Sequence, residues 1–213
     1  MFDTIIRFFQ EGGSFMLPIA IVLAIGLAIA LERAIYLFSM SRKNGKAIAK
    51  INPMLQNLEF DNIESITDKS AITSIFQAGI RRMNQSPKRE EIEYAMEEGV
   101  MDTLPQLEKR TQYLATLANI STLLGLLGTI IGLIAAFSAV ANADPAEKAS
   151  LLSQSISVAM NTTAFGLIAA IPLLGCHAIL QTKTSEIITN LETAGVKFLN
   201  IIAKNNMLSK NRN

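Results

Sequence analysis

The sequence has little charge, one cysteine and no tryptophan. Charged residues make up 17% of its 213 residues, whereas soluble domains carry about 25%, and this shortfall indicates that a lipid bilayer surrounds part of the chain. A net charge of +1 provides no overall field to attract nucleic acid. The single cysteine, Cys176, excludes a disulfide within the chain. Without tryptophan, an aromatic belt at a membrane surface must consist of phenylalanine and tyrosine.

Three long apolar stretches account for most of the hydrophobic residues. A helix crosses the hydrocarbon core of a bilayer, about 30 Å thick, with about 20 apolar residues. The first stretch begins at Phe15, the second lies between Arg110 and Asp144, and the third lies between Lys148 and Lys183. We therefore predict an all-α integral membrane protein with three transmembrane helices, at residues 15–38, 113–141 and 155–182.

Two other interpretations of these stretches are weaker. The first stretch could be a cleaved signal peptide, but its N-terminal flank carries Arg7 against Asp3 and Glu11 and is not a basic n-region. The other two stretches could be buried core helices, but runs of this length without charge are typical of membrane spans.

Basic residues are distributed unevenly among the segments that flank the spans. Residues 39–112 and the tail 183–213 are rich in lysine and arginine, whereas the loop 142–154 has a single lysine. Because segments rich in lysine and arginine stay in the cytoplasm, we predict that residues 1–14 and the loop lie outside. The same rule places residues 39–112 and 183–213 in the cytoplasm.

The cytoplasmic segment contains two stretches with the apolar spacing of a helix. The first covers residues 70–83, with apolar positions at Ile72, Ile75, Phe76, Gly79 and Ile80. The second begins near Ser86 and Pro87, which suit the N-cap and the first helical position. We expect Pro105 to bend this second helix without ending it, so that one long helix leaves the membrane through span two.

The tail of the chain has the same amphipathic spacing. Residues 184–203 are expected to form a helix that continues span three into the cytoplasm, and residues 205–213 are expected to fray. Two of the three membrane helices are thus predicted to extend into the cytoplasm.

Span two carries a stripe of small residues on one helical face, because their spacing alternates between three and four. These residues are Ala115, Ala118, Thr122, Gly125, Thr129, Gly132 and Ala136. Small side chains let helix backbones approach closely in lipid. We assign close helix packing to Gly125, Gly128 and Gly132 in span two and to Gly166 in span three.

Polar side chains in spans two and three are less easily explained by packing. Span two contains Thr122 and Thr129, and span three contains Asn161, Thr162 and Thr163. A threonine in a membrane helix often bonds only to its own backbone. Two helices with facing polar stripes nevertheless favour a hydrated or ion-lined path, and we identify these five residues as candidates for it.

Neither span two nor span three contains an aspartate or a glutamate. A membrane ion pathway usually needs such a carboxylate, so any ion flow here requires one from another polypeptide. Glu32, at the end of span one, lies beside Arg33 and is expected to pair with it. His177 is a structural or interfacial group, or alternatively a proton relay. The sequence has no metal-ligand cluster, nucleophile–base pair or phosphate loop, so we expect no enzyme activity, metal or cofactor.

Several short strings, in this order around three spans, resemble the MotA/TolQ/ExbB proton-channel family. They are LER at 31–33, LEKR at 107–110, LLGLLGTIIG at 123–132, TTAFGL at 162–167 and AAIP at 169–172. The resemblance covers nearly the whole chain, and LLGLLGT is its most specific string. Three spans favour the TolQ/ExbB branch, because MotA-type subunits have four.

The resemblance implies a homopentamer in the bacterial inner membrane that encloses the single helices of two partner chains of the TolR/ExbD/MotB kind. Each partner helix would supply the membrane aspartate that this chain lacks. By motif position, Thr129 and Thr163 match the family's pore-lining threonines. Residues 1–14 and the loop would then be periplasmic, and the ion flow would drive work at the cell envelope.

Two positions depart from the family's pattern. Proton-driven relatives often carry a glutamate where this chain has Val158, and a proline where it has Thr122. The missing glutamate leaves H⁺ and Na⁺ both open as the transported ion, since neutral oxygens suit Na⁺. A structural membrane scaffold, or a transporter component without its own ion flux, also remains an alternative.

Overall fold

The structure is a computed structural model that describes residues 12–68, 70–86, 88–141 and 143–210, with side chains as far as residue 204. The predictions made for Asp3, Arg7, Glu11, Pro87 and residues 211–213 lie outside the described residues. The described residues form helices and no strand, which confirms the predicted all-α class. The helices are α1 (Met16–Gln56), α2 (Phe60–Glu64), α3 (Ala71–Gln85), α4 (Arg89–Glu108), α5 (Thr111–Ala141) and α6 (Lys148–Lys210).

Three helical stretches are long and apolar enough to cross a membrane, which confirms the predicted number of spans. They are Met16–Gln56, Arg89–Ala141 and Lys148–Lys204. The helices α1 and α6 contain 41 and 63 residues, so each is far longer than the roughly 20 residues that a bilayer core requires. The helix α6 begins at Lys148, inside the predicted loop 142–154.

The described chain divides into two compact units. The membrane unit consists of the described residues within Met1–Arg33 and Arg110–Ile179. The second unit consists of the described residues within Ala34–Lys109 and Leu180–Asn213. In the membrane unit the buried positions are mostly small side chains, because alanine and glycine let the backbones of α5 and α6 approach. Its buried alanines include Ala118, Ala136, Ala159, Ala169 and Ala170.

The second unit has a conventional apolar core. The five apolar positions predicted on one face of α3 are all buried, which confirms that amphipathic helix. Phe198 of α6 completes the core, since its ring centroid lies 5.3 Å from that of Phe76 and 6.2 Å from that of Phe60. The tail predicted to continue span three is helical, as part of α6. The expected fraying from residue 205 is not seen as far as Lys210, where α6 ends.

The start of α3 is secured by a network of short polar side chains. The hydroxyl of Ser70 accepts a hydrogen bond from the Thr73 backbone N–H at 3.3 Å and donates one to Asp68 at 2.7 Å. Burial raises the pKa of the Asp68 carboxyl, but hydrogen bonds from Ser70 and Thr73 and the charge of Lys50 outweigh it, so the pKa lies below its usual value. The carboxylate therefore stabilises the N-terminus of α3 only while it is ionised.

The prediction that Ser86 caps the start of α4 is wrong. Ser86 ends α3 instead, where its backbone N–H donates to the Arg82 carbonyl at 2.8 Å. The helix α4 begins at Arg89, after Lys88 as N-cap. Ser86 has an extended backbone, with φ −148° and ψ 120°, as expected for a residue that precedes proline. The helix α3 thus ends at Gln85, and α4 begins at Arg89.

The prediction of one long helix through span two is also wrong at its cytoplasmic end. Pro105 lies within α4 and does not end it, as expected, but α4 stops at Glu108. Lys109 has ψ 130° and Arg110 has a left-handed φ of 62°, so neither residue continues the helix. The helix α5 starts anew at Thr111. No glycine or proline marks this break in the sequence.

The end of α1 has a defined cap around Leu58, whose φ of 60° lies in the left-handed region. The backbone N–H of Glu59 donates to the carbonyl of Met54 at 2.9 Å, and that of Leu58 donates to Leu55 at 3.2 Å. These two bonds define a Schellman motif, in which the left-handed position is usually glycine. Leucine adopts this conformation at a cost of about 1–2 kcal/mol.

Candidate functional site

The helices α5 and α6 approach each other closely at Gly125 and Gly166. A Cβ atom on Gly125 would lie 3.2 Å from the Cα atom of Thr163 and 3.3 Å from that of Gly166. A Cβ atom on Gly166 would lie 2.7 Å from the backbone carbonyl oxygen of Ser121. The two backbones are therefore in contact, and this contact decides which side chains of one helix can reach the other.

Two more glycines of α5 face α6. A Cβ atom on Gly128 would overlap the Cγ2 methyl group of Thr162 and would lie 3.3 Å from the Cβ atom of Phe15. A Cβ atom on Gly132 would lie 3.0 Å from the Cβ atom of Ala159. The four glycines assigned to packing thus all lie at this helix contact.

Thr129 and Thr163 meet directly across the contact. Their hydroxyl oxygens lie 2.7 Å apart. The Thr163 hydroxyl also lies 2.9 Å from the carbonyl oxygen of Gly125, on the opposite helix. The Thr129 hydroxyl lies 2.9 Å from the carbonyl of Leu126 and 3.2 Å from that of Gly125. Both threonines are half-buried, so the pair lies at the edge of the packed interface.

This arrangement leaves unused acceptor capacity on the threonine oxygens. Each hydroxyl has one hydrogen and two acceptor lone pairs. The two hydrogens are used within the cluster, either between the hydroxyls or toward the carbonyls of Gly125 and Leu126. The direction of the bond between the hydroxyls can reverse, because either atom can donate. The pair can therefore accept a hydrogen bond from a protonated group or offer oxygen lone pairs to a cation.

Thr162 has a different environment from Thr163. It is 2% exposed, and its hydroxyl donates to the carbonyl oxygen of Gly12 at 2.6 Å and lies 3.0 Å from that of Val158. The carbonyl of Gly12 is presented by a turn at Gly13, whose φ of 74° lies in the left-handed region that favours glycine. Thr162 therefore connects the segment before α1 to α6, and it does not reach the Thr129–Thr163 pair.

Asn161 and Thr122 are also separate from the pair. Asn161 precedes Thr163 by two residues, about 200° around the helix axis, and is half-buried. Thr122 is exposed, and its hydroxyl donates to the carbonyl of Ala118 at 3.1 Å, within its own helix. Of the five residues proposed for the ion path, the structure brings together Thr129 and Thr163.

Val158, where proton-driven relatives are expected to carry a glutamate, lies one helical turn before Thr162. Its Cγ1 atom lies 3.3 Å from where a Cβ atom on Gly13 would be. A glutamate side chain at this position would start from beside the turn that precedes α1. In this chain the turn meets a methyl group instead of a carboxylate.

Glu32 is the acidic residue at the end of the first predicted span. Its carboxylate pairs with the guanidinium of Arg110 at 2.8 Å, so its ion pair joins α1 to the start of α5 rather than to the neighbouring Arg33. Both side chains are about half exposed, at 48% and 46%. Glu32 is thus already neutralised by a cation from the same unit.

The described residues contain no group of three or more histidine, cysteine, aspartate or glutamate side chains that could hold a metal ion. His177 and Cys176 are both half-buried. Neither is among the groups that contact the threonine pair in the described structure. The chemistry available at this site is therefore that of neutral oxygen atoms.

Two features of the site were not predicted from the sequence. Ser121 is fully buried, and its hydroxyl has no hydrogen-bond partner among the described residues. It lies four residues before Gly125, a spacing that could have placed it on the same face of α5. The Gly12 carbonyl that binds Thr162 was also missed, because a backbone acceptor leaves no signal in the side-chain pattern.

Comparison with known proteins identifies the family. Residues 67–193, more than half of the chain, match the MotA/TolQ/ExbB proton channel family. The chain is 28% identical over 200 residues to a biopolymer transport protein ExbB homolog of Methanothermobacter thermautotrophicus, covering 90% of this chain and 68% of the relative. It is 30% identical over 129 residues to the Tol-Pal system protein TolQ of Haemophilus influenzae, covering 61% of this chain and 50% of TolQ.

A further relative is the biopolymer transport protein ExbB-like 3 of Synechocystis sp., which is 26% identical over 168 residues, covering 78% of this chain and 79% of the relative. The residues that match the family, 67–193, include the glycine and threonine strings of the last two spans. The helical fold with three potential membrane spans agrees with them too. The chain belongs to the MotA/TolQ/ExbB proton channel family, on its TolQ/ExbB branch.

Proposed function

We propose that this protein is the channel-forming subunit of an ion-driven motor in the bacterial inner membrane. Five copies surround the single transmembrane helices of two partner chains of the TolR/ExbD kind. Each partner helix brings an aspartate to the depth of Thr129 and Thr163. H⁺ or Na⁺ passes between these hydroxyls and the aspartate, and its passage moves the partner relative to the pentamer.

The observation that carries this proposal is the hydroxyl pair in a membrane segment without carboxylates. Thr129 and Thr163 lie 2.7 Å apart, and the stretches between Arg110 and Asp144 and between Lys148 and Lys183 contain no charged residue. Neutral oxygens can accept a proton donor or replace part of the hydration shell of a cation. They do not provide the charge that stabilises an ion at mid-membrane, so a second polypeptide supplies that charge.

The names of the relatives support a task at the cell envelope for this motor. Their names include biopolymer transport and the Tol-Pal system, which favours work at the cell envelope as the task that ion flow drives. The distribution of lysine and arginine supports an orientation with a periplasmic N-terminus and a cytoplasmic C-terminus. The family's description as proton channels supports H⁺, whereas Val158 in place of a glutamate supports Na⁺.

The test is an ion-flux measurement on the complex as it is extracted from its own membranes. The complex is reconstituted into liposomes that contain a dye for pH or for Na⁺, and a gradient of one ion is imposed. We expect flux for one of the two ions. Thr163→Val should reduce it by about ten- to hundredfold, because a hydrogen bond to a charged group contributes about 1.5–3 kcal/mol.

The matched control is Thr116→Val, which makes the same chemical change in α5. Thr116 is exposed and its hydroxyl bonds to the Gln112 carbonyl at 3.4 Å, within its own helix. This variant should conduct like the parent. Full flux in Thr163→Val would remove the threonine pair from the pathway, and absence of flux in the parent with both ions would favour the structural scaffold.

A further inference from the structure

An open groove on α1 combines apolar and basic side chains where the first predicted span ends. Its lining residues come from about three consecutive turns of the helix and include Ile35, Phe38, Ser39, Arg42, Lys43 and Lys46. The apolar end is accessible, since Ile35 is 64% exposed and Phe38 is 48% exposed. The groove therefore changes from apolar to cationic along the helix axis.

The positive charge of this groove is not neutralised along its own helix. The sequence contains no acidic residue between Glu32 and Glu59. The basic side chains of Arg42, Lys43 and Lys46 are exposed, and the ion pairs found among the described residues include none of them. An anion would thus meet three uncompensated cations within one helix face.

The spacing along α1 matches the layers of a bilayer. At about 1.5 Å per residue, Arg42 lies about 6 Å beyond Phe38 and Lys46 about 12 Å beyond it. The headgroup layer on each side of a bilayer is about 5–8 Å thick, and lysine side chains can bend back toward it. Arg42 and Lys43 thus lie at the depth of lipid phosphates if Phe38 ends the hydrocarbon region.

A second helix of the same unit positions the apolar wall of the groove. The ammonium group of Lys183 in α6 lies 5.8 Å from the centre of the Phe38 ring, a cation–π contact. Lys183 also pairs with Glu186 at 2.8 Å, so its charge is shared. The Phe38 ring is therefore contacted by a cation, while about half of its side chain stays exposed.

We propose that this groove binds an anionic phospholipid from the adjacent leaflet. The phosphate lies among Arg42, Lys43 and Lys46, and the start of an acyl chain lies along Ile35 and Phe38. An anionic headgroup is preferred over a zwitterionic one, because the ammonium group of phosphatidylcholine would meet the same three cations. This lipid site is independent of the ion pathway and would persist in variants that do not conduct.

The test is native mass spectrometry of the delipidated full complex, titrated with dioleoyl-phosphatidylglycerol or with dioleoyl-phosphatidylcholine. The parent should bind phosphatidylglycerol more tightly. Replacing Arg42, Lys43 and Lys46 together by glutamine should weaken phosphatidylglycerol binding about a hundredfold, at roughly fivefold for each charge near the membrane surface. Binding of phosphatidylcholine should change little.

The matched control replaces Lys50, Arg81 and Lys204 together by glutamine, since these exposed cations of the same unit lie beyond the groove. It should bind phosphatidylglycerol like the parent, as should a variant with Arg42→Lys, Lys43→Arg and Lys46→Arg. If the glutamine variant fails to fold, the parent is titrated at rising salt, which should weaken the interaction by screening. Equal binding of the two lipids by the parent, an unchanged affinity in the glutamine variant, or indifference to salt would overturn the proposal.

Discussion

The hydroxyl oxygens of Thr129 and Thr163 lie 2.7 Å apart, one on each of two membrane helices whose backbones touch at Gly125 and Gly166. The two hydroxyls form one hydrogen-bonded unit, because each is within reach of the other and of the Gly125 carbonyl. This geometry links the packing of the helices to the chemistry of the site. It also predicts how substitutions of the two residues will combine.

Valine substitutions at Thr129 and Thr163 should not be additive. Because the two hydroxyls act as one unit, each single change to valine should remove most of the ion flux. The double variant should then conduct about as well as either single variant, as expected for coupled residues. Flux measurements on reconstituted complexes of all four proteins check this. Independent effects that multiply in the double variant would show that the two hydroxyls act separately.

The glycine contact predicts different effects for two glycine-to-alanine changes in α6. Gly166→Ala would put a methyl group 2.7 Å from the backbone oxygen of Ser121, and overpacking of this kind costs about 1–3 kcal/mol. Gly175→Ala meets no atom within 4 Å, so it should be neutral or stabilising by up to about 1 kcal/mol. In detergent, the Tm and the oligomer size should be reduced in Gly166→Ala and unchanged or raised in Gly175→Ala. Equal behaviour of the two variants would argue against close packing at Gly166.

The left-handed cap of α1 predicts a stabilising substitution. Leu58→Gly removes the steric cost of φ 60°, whereas Leu58→Ala removes the same contacts but keeps a Cβ atom. The glycine variant should therefore be more stable than the alanine variant by about 1 kcal/mol, or about 2–4 °C in Tm for a chain of this size. Thermal melts of both proteins measure this difference. An alanine variant as stable as the glycine variant would mean that position 58 is not strained.

The carboxylate of Asp68 predicts a small pH dependence of stability. Its pKa in the folded protein lies below the usual value, so its contribution is fully present above the unfolded pKa, near 3.9. That contribution is lost as the pH falls through the folded pKa. At pH 7, Asp68→Asn should be less stable than the parent by less than about 1 kcal/mol, because the carboxylate is exposed.

Melting curves of the parent and Asp68→Asn at several pH values between 3 and 7 test this. The difference in Tm between them should shrink as the pH drops below about 4. If the difference in Tm stays constant over that range, its cause is the size or hydrogen bonding of the side chain and not its charge. Lys50→Gln should reduce the difference at pH 7, because the charge of Lys50 helps to lower the pKa of Asp68.

The large features of the fold could be predicted from the sequence, because they depend on composition and periodicity. Long apolar runs predict the spans, and the spacing of Ile72, Phe76 and Ile80 predicts the buried face of α3. The contact between Phe198 and Phe76 could not be predicted, since it joins segments far apart in the chain. The amphipathic pattern of the tail shows that a face is buried, but not against which partner.

The breaks and pairings at the helix ends were the least predictable features. Arg110 has a left-handed backbone that no glycine announces, and its pairing with Glu32 depends on how two helices meet. At the candidate site, the sequence identified Thr129 and Thr163 but grouped Thr162 with them. The rotation of about 100° between neighbouring helical residues separates Thr162 from the pair, and its acceptor is the backbone of Gly12.

The central claim is that the missing carboxylate comes from another polypeptide, and native mass spectrometry tests it most directly. The tagged protein is extracted gently from its own membranes, and the intact complex is weighed and then dissociated to identify its chains. We predict five copies of this chain with two copies of a single-span protein that has an aspartate in its membrane helix. A monomer, or an oligomer without such a partner under conditions that preserve membrane complexes, would contradict the account.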